Sequence, residues 1–152
     1  MSVADLVRRV HHTALCVQDF DAMRRFLVDF LGFRVEAEMA ERADPRLTVV
    51  VGLPEVNIRW GLYRCERHRV ELFHYFSPVG KSVPPAQCDT GFTHLAFEVN
   101  DVHETHRRAI AAGYHPNSAP QSMRGGISEV FYLRGPEQIV VEFMQFHDEA
   151  AA

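Results

Sequence analysis

The sequence contains no long apolar run. None of its apolar stretches approaches the roughly 20 residues that a membrane-spanning helix needs, so no membrane partner is expected. It has no run of lysines or arginines, and its formal net charge is −4. A basic face is therefore not expected, nor a nucleic-acid partner. The first ten residues, M-S-V-A-D-L-V-R-R-V, show neither the apolar core nor the cleavage site of a secretory leader. Cysteine is scarce. Cys16, Cys65 and Cys88 are odd in number and far apart, which argues against a disulfide framework and fits a reducing cytoplasm.

Histidine, by contrast, is plentiful at nine residues, so metal chemistry is worth testing first. A repeat organises the chain. Residues 12–19, H-T-A-L-C-V-Q-D, return as residues 94–101, H-L-A-F-E-V-N-D. Histidine, alanine (14 and 96), valine (17 and 99) and aspartate (19 and 101) keep their spacing. Each copy leads into a helix-like segment with Arg25 or Arg107 at the same offset, and ends on Gly32-Phe33 or Gly113-Tyr114. Each half closes on a matched piece, Val70-Glu71-Leu72-Phe73 or Val141-Glu142-Phe143-Met144. The chain reads as one unit written twice. Residues 8–76 and 91–147 form the two modules, within a single domain spanning 1–152.

Alternation and helical spacing give the elements. Residues 10–18 read as a strand apolar on both faces. Asp19 caps an amphipathic helix over residues 20–31, which Gly32 ends. Residues 33–38 form a short strand, 41–46 a charged stretch, and 47–54 a short helix or turn before Pro54. Strands follow over 56–64 and 68–75, then a linker over 77–90 that contains Pro78, Pro84 and Pro85. The second half repeats the order: a strand over 92–100, a helix over 101–112, a Pro- and Ser-rich loop over 116–122, and strands over 128–133 and 138–146. A frayed tail over 147–152 is expected. The pattern is βαβββ twice, with an insertion of roughly ten residues in the first copy.

If the first and last strands of each half lie side by side, His12 and Glu71 project from neighbouring strands, and so do His94 and Glu142. A pseudo-two-fold between the halves then brings both pairs to one concavity. Imidazole nitrogen and carboxylate oxygen suit a divalent first-row metal. The remaining histidines read as surface groups: His74, His103, His106, His115 and His147, with His103 and His106 on the exposed side of a helix. His11 points away from His12.

With these motifs the chain resembles the vicinal oxygen chelate superfamily, the group of glyoxalase I, methylmalonyl-CoA epimerase, extradiol dioxygenases and the fosfomycin- and bleomycin-resistance proteins. The resemblance spans residues 8–146. It rests on His12-x-x-Leu15-x-Val17-x-Asp19, Phe30-Leu31-Gly32-Phe33, Val70-Glu71-Leu72, residues 91–99 around His94, and Val141-Glu142-Phe143. It implies a glyoxalase-like α+β fold, two βαβββ modules forming a curled mixed β-sheet cleft. It implies His12, Glu71, His94 and Glu142 as ligands of one divalent ion (Ni, Zn, Co, Mn or Fe), a small-molecule substrate and a homodimer.

A carboxylate at Glu71 looks like the isomerase-type members, which move a proton next to a carbonyl. The expected function is thus a metal-dependent lyase or isomerase of glyoxalase I or epimerase type. Glu142 is the first choice of base and Glu71 the second. Bacterial glutathione-using members carry an arginine where this chain has Cys16 and an asparagine where it has Tyr75, so glutathione specificity is not expected. Trp60, Leu62, Phe73, Tyr75 and Phe131 suit a less charged, acyl or aromatic body, and Arg124 before Gly125-Gly126 suits an anion-holding loop. The rival readings are a drug- or toxin-binding resistance protein without catalysis and an Fe(II)-dependent extradiol-type dioxygenase.

Overall fold

The computed structural model describes residues 2–82 and 86–147. The expected prolines 84 and 85 of the linker and the tail beyond His147 lie outside the described residues. The chain divides into two compact units, Met1–Lys81 and Ser82–Ala152. The fold is mixed α+β with two sheets, as expected.

In the first unit, β1 (Thr13–Cys16), β2 (Arg34–Ala43), β3 (Asn57–Cys65) and β4 (His68–Ser77) form a sheet in the order β1-β4-β3-β2. β1 runs parallel to β4, and the other pairs are antiparallel. Helix α1 (Phe20–Arg25) is capped by the Asp19 carboxylate, which accepts from the Ala22 amide. It continues as a π-helical turn over Phe26–Phe30. Phe20, Met23, Phe26 and Leu27 are buried, as are Tyr63, Val70 and Leu72 of the sheet. Each such aliphatic or aromatic side chain contributes on the order of 1.5–3 kcal/mol by leaving water.

The first half of the charged stretch expected over 41–46, residues 41–43, is part of β2 instead, and the rest starts α2. Pairing with β3 carries the strand on to Ala43 opposite Asn57, and the Asn57 amide donates to Glu41 at 2.7 Å. Local polarity did not stop the strand, because β2 is the outer strand and all ten of its residues are exposed. Helix α2 (Pro45–Val51) then starts at Asp44, with Pro45 in its first turn, and ends at Gly52, whose φ of 72° a side chain would resist.

In the second unit, β5 (Leu95–Glu98), β6 (His115–Pro116), β8 (Ser128–Arg134) and β9 (Val140–Phe146) form a sheet in the order β5-β9-β8-β6. β7 (Gln121–Met123) also pairs with β8. Asp101 caps α3 (Val102–Ala111) through the Glu104 amide, and Val102 and Ala109 face the core. Two short strands, β6 and β7, stand in the stretch expected to be one loop. Propensity could not show them, because they are made by pairing with β8. The expected insertion is the ten-residue β2 with α2, where the second unit has only β6 and β7.

Candidate metal centre and catalytic pocket

Register places the first pair. Ala14 lies opposite Glu71 across β1 and β4, and directly paired residues share a face. His12, two positions ahead of Ala14, falls on that face by alternation. Its Nε2 stands 3.0 Å from Oε2 of Glu71. The other ring nitrogen, Nδ1, is 2.8 Å from Nδ1 of His11. The other carboxylate oxygen, Oε1, accepts from the Trp60 indole at 2.5 Å. Leu62, Trp60 and Tyr75 share the Glu71 face through the register Leu62↔Glu71, Trp60↔Phe73 and Ile58↔Tyr75. Four of the expected pocket residues, Trp60, Leu62, Phe73 and Tyr75, thus gather around this glutamate.

The second unit repeats the arrangement. Ala96 lies opposite Glu142 across β5 and β9, and Nε2 of His94 stands 3.0 Å from Oε2 of Glu142. Nδ1 of His94 is 2.9 Å from the Thr93 hydroxyl. In both units, then, Nδ1 is engaged by the preceding side chain and Nε2 is presented to a carboxylate. That is the orientation a metal-binding imidazole needs, with its second nitrogen held by a neighbour. The carboxylates are only 14% and 12% exposed, so each requires a charged or hydrogen-bonding partner. Among the described residues, no group of three His, Cys, Asp or Glu side chains gathers around one point; each unit offers two donors.

Tyr132 is the residue that sequence reasoning missed. It lies opposite Glu142 across β8 and β9, and its ring meets His94 edge-on at 5.3 Å. Burial pushes its phenol above the usual range, and the Glu142 charge and hydrogen bond add to this. The equivalent register position in the first unit is Leu62, so aligning the two halves would have revealed it. A cavity of about 380 Å³ opens within this unit, with Glu142, Tyr132, Arg124 and the 2%-exposed Ser128 among its lining.

Phe131 is among this lining, is 1% exposed and stacks on Phe143 at 5.2 Å, with His106 edge-on at 5.1 Å. Alternation along β8 turns Phe131 to the helix side and Tyr132 to Glu142. The expectations for three histidines are corrected. His106 is therefore a packing residue and not a surface group. His74 is half-buried, and its Nδ1 is 3.1 Å from the Val17 carbonyl, holding the end of β1. His11, read as turned from His12, meets it ring to ring at 5.1 Å. Cys16 lies opposite Phe73 on this same face, exposed at its edge, and partial desolvation raises its thiol above the ordinary value.

A sequence model described as the Glyoxalase/Bleomycin resistance protein/Dioxygenase superfamily matches residues 9–143. The chain belongs to this superfamily. The uncharacterized protein YaeR of Escherichia coli K12 is 27% identical over 96 residues, which are 63% of this chain and 64% of YaeR. The matched region thus spans less than two thirds of that relative. Among solved structures, a glyoxalase family protein from Bacillus cereus superposes with a TM-score of 0.82 at 18% identity, covering 92% of this chain and 95% of its own. The fosfomycin resistance protein FosX of Listeria monocytogenes, complexed with Mn(II) and sulfate, gives 0.59 at 15%, covering 91% and 93%. At these identities the likeness is one of fold. No helix among the described residues is long and apolar enough to cross a membrane.

Proposed function

We propose that His12, Glu71, His94 and Glu142 together hold one divalent metal ion, and that the protein is a lyase or isomerase that moves a proton next to a carbonyl of a small substrate. The observation that carries this reading is the repeated geometry, Nε2 to Oε2 at 3.0 Å in each unit with Nδ1 anchored. The donor chemistry fits the ion. Two neutral imidazoles and two carboxylates balance a 2+ charge and match a borderline first-row metal. Two donors from one unit are too few for such an ion, and four from both are enough.

When bound, a divalent ion polarises a carbonyl oxygen and stabilises the negative charge that grows there as a neighbouring proton leaves. The rest of the chemistry belongs to side chains. Glu142 is the base, because it lines the cavity and its neighbour Tyr132 carries a hydroxyl that can both donate and accept. Glu71 is the weaker candidate. Its oxygens face His12 and an indole N–H, a donor that cannot relay a proton.

A homodimer follows the same reading. α2 leaves Val49 and Val50 79% and 82% exposed, an apolar surface suited to a second copy. The test of function is twofold. Metal analysis of the purified protein should give one divalent ion per chain. Proton NMR in deuterated water should then show metal-dependent exchange of a C–H next to a carbonyl. A metal-free protein that binds no added ion would overturn the reading.

A further inference from the structure

The cavity beside Glu142 holds one cation and one anion among its lining residues, Arg124 and Glu142. The other arginines of this unit have acceptors: Arg107 and Arg108 pair with Glu104, and Arg134 donates to the Gln138 carbonyl. Arg124 has none among the described residues. Its guanidinium lies over the Phe146 ring at 5.8 Å. The backbone there is unusual too. Arg124, Gly125 and Gly126 hold φ of 54°, 67° and 96°, the left-handed region. Glycine adopts it freely and arginine only at a cost, which points to a use for this side chain.

We infer that Arg124 anchors an oxyanion, a carboxylate or phosphoryl group, on the substrate whose reacting carbon lies against Glu142. The inference rests on the proton-transfer reading of this site and names its substrate class. An anionic substrate is drawn to positive charge on the wall of the cavity it enters, and Arg124 is among the residues of that wall. Arg124 supplies that charge with a planar fork suited to two oxyanion oxygens. Asn117 and Gln121, also on the lining, offer amide donors. A neutral analogue would cover Arg124 and leave its donors unpaired, so the site discriminates against it.

The test is equilibrium binding to the full chain, by calorimetry, of phenylpyruvate, its methyl ester and phenylphosphonate. The native protein should bind one of the acids at least about tenfold more tightly than the ester. Arg124→Gln should bring that acid down to the level of the ester and leave the ester unchanged. Arg124→Lys should keep part of the preference, because the charge stays and the fork is lost. Preference for phenylpyruvate assigns a carboxylate, and preference for phenylphosphonate a phosphoryl group. Equal binding of acids and ester, an Arg124→Gln protein that binds the acids like the native one, or no binding of either acid at millimolar concentration overturns the inference. The proton-transfer reading fails separately. If Glu142→Gln keeps full proton exchange while Arg124→Gln loses the acid, the base is wrong and the anchor stands. If Glu142→Gln abolishes exchange and Arg124→Gln changes nothing, the anchor is wrong and the base stands.

Discussion

His94, the residue just before β5, and Glu142 of β9 are far apart in sequence, yet Nε2 and Oε2 stand 3.0 Å apart. Parallel pairing of β5 with β9 brings them together, by the same register that joins His12 to Glu71. The arrangement makes the two glutamates chemically similar and structurally different. One meets an indole and the other a phenol.

That difference predicts unequal variants. Glu142→Gln is expected to abolish turnover and weaken metal binding, whereas Glu71→Gln weakens metal binding and keeps some turnover. Inductively coupled plasma analysis and the exchange assay read the two effects separately. His74→Ala should keep both metal and turnover. It loses its contact with the Val17 carbonyl, at a stability cost of about 1 kcal/mol in urea unfolding.

Thr93 should matter to the metal without touching it. Its hydroxyl lies 2.9 Å from Nδ1 of His94. Removing a partner of a ligating imidazole typically lowers metal affinity by roughly 10–100-fold. Thr93→Val keeps the shape and loses the contact, and a competition titration with a chelator measures the loss. Unchanged affinity would show that His94 is not a ligand.

Gly61 is a packing requirement. A Cβ there would meet the Tyr63 ring and hydroxyl, at 2.5 Å from Oη and 2.8 Å from Cε2. Tyr63 is fully buried, and its hydroxyl donates to Glu38 at 2.7 Å, so it cannot simply move. Gly61→Ala should destabilise by about 1–3 kcal/mol, seen as a lower urea midpoint with an unchanged slope.

Acid stability should depend on Glu38. Burial pushes its carboxyl up, but the Tyr63 hydroxyl and the Arg24 guanidinium outweigh burial and hold it below its ordinary value of 4.5. A carboxyl depressed in the folded state contributes stability above its unfolded pKa. That contribution is lost as pH falls through the folded value. Glu38→Gln should therefore lower stability at neutral pH and flatten its decline below about 4.5. Thermal melts between neutral and acid pH measure both slopes.

Much of this protein was legible without coordinates. The repeated His, Ala, Val and Asp fixed two modules, because a duplicated pattern must fold twice in the same way. The two pairs, His12 with Glu71 and His94 with Glu142, were expected from that repeat with the first and last strands of each half side by side, and each pair stands at 3.0 Å. Residues 39–43 and 115–123 were misread, because the strands there exist only through hydrogen bonds to distant partners. Tertiary structure alone decided that Tyr132 faces Glu142 while Phe131 packs under α3. A strand shows both faces to the sequence reader, and only the neighbouring helix determines which of them is core.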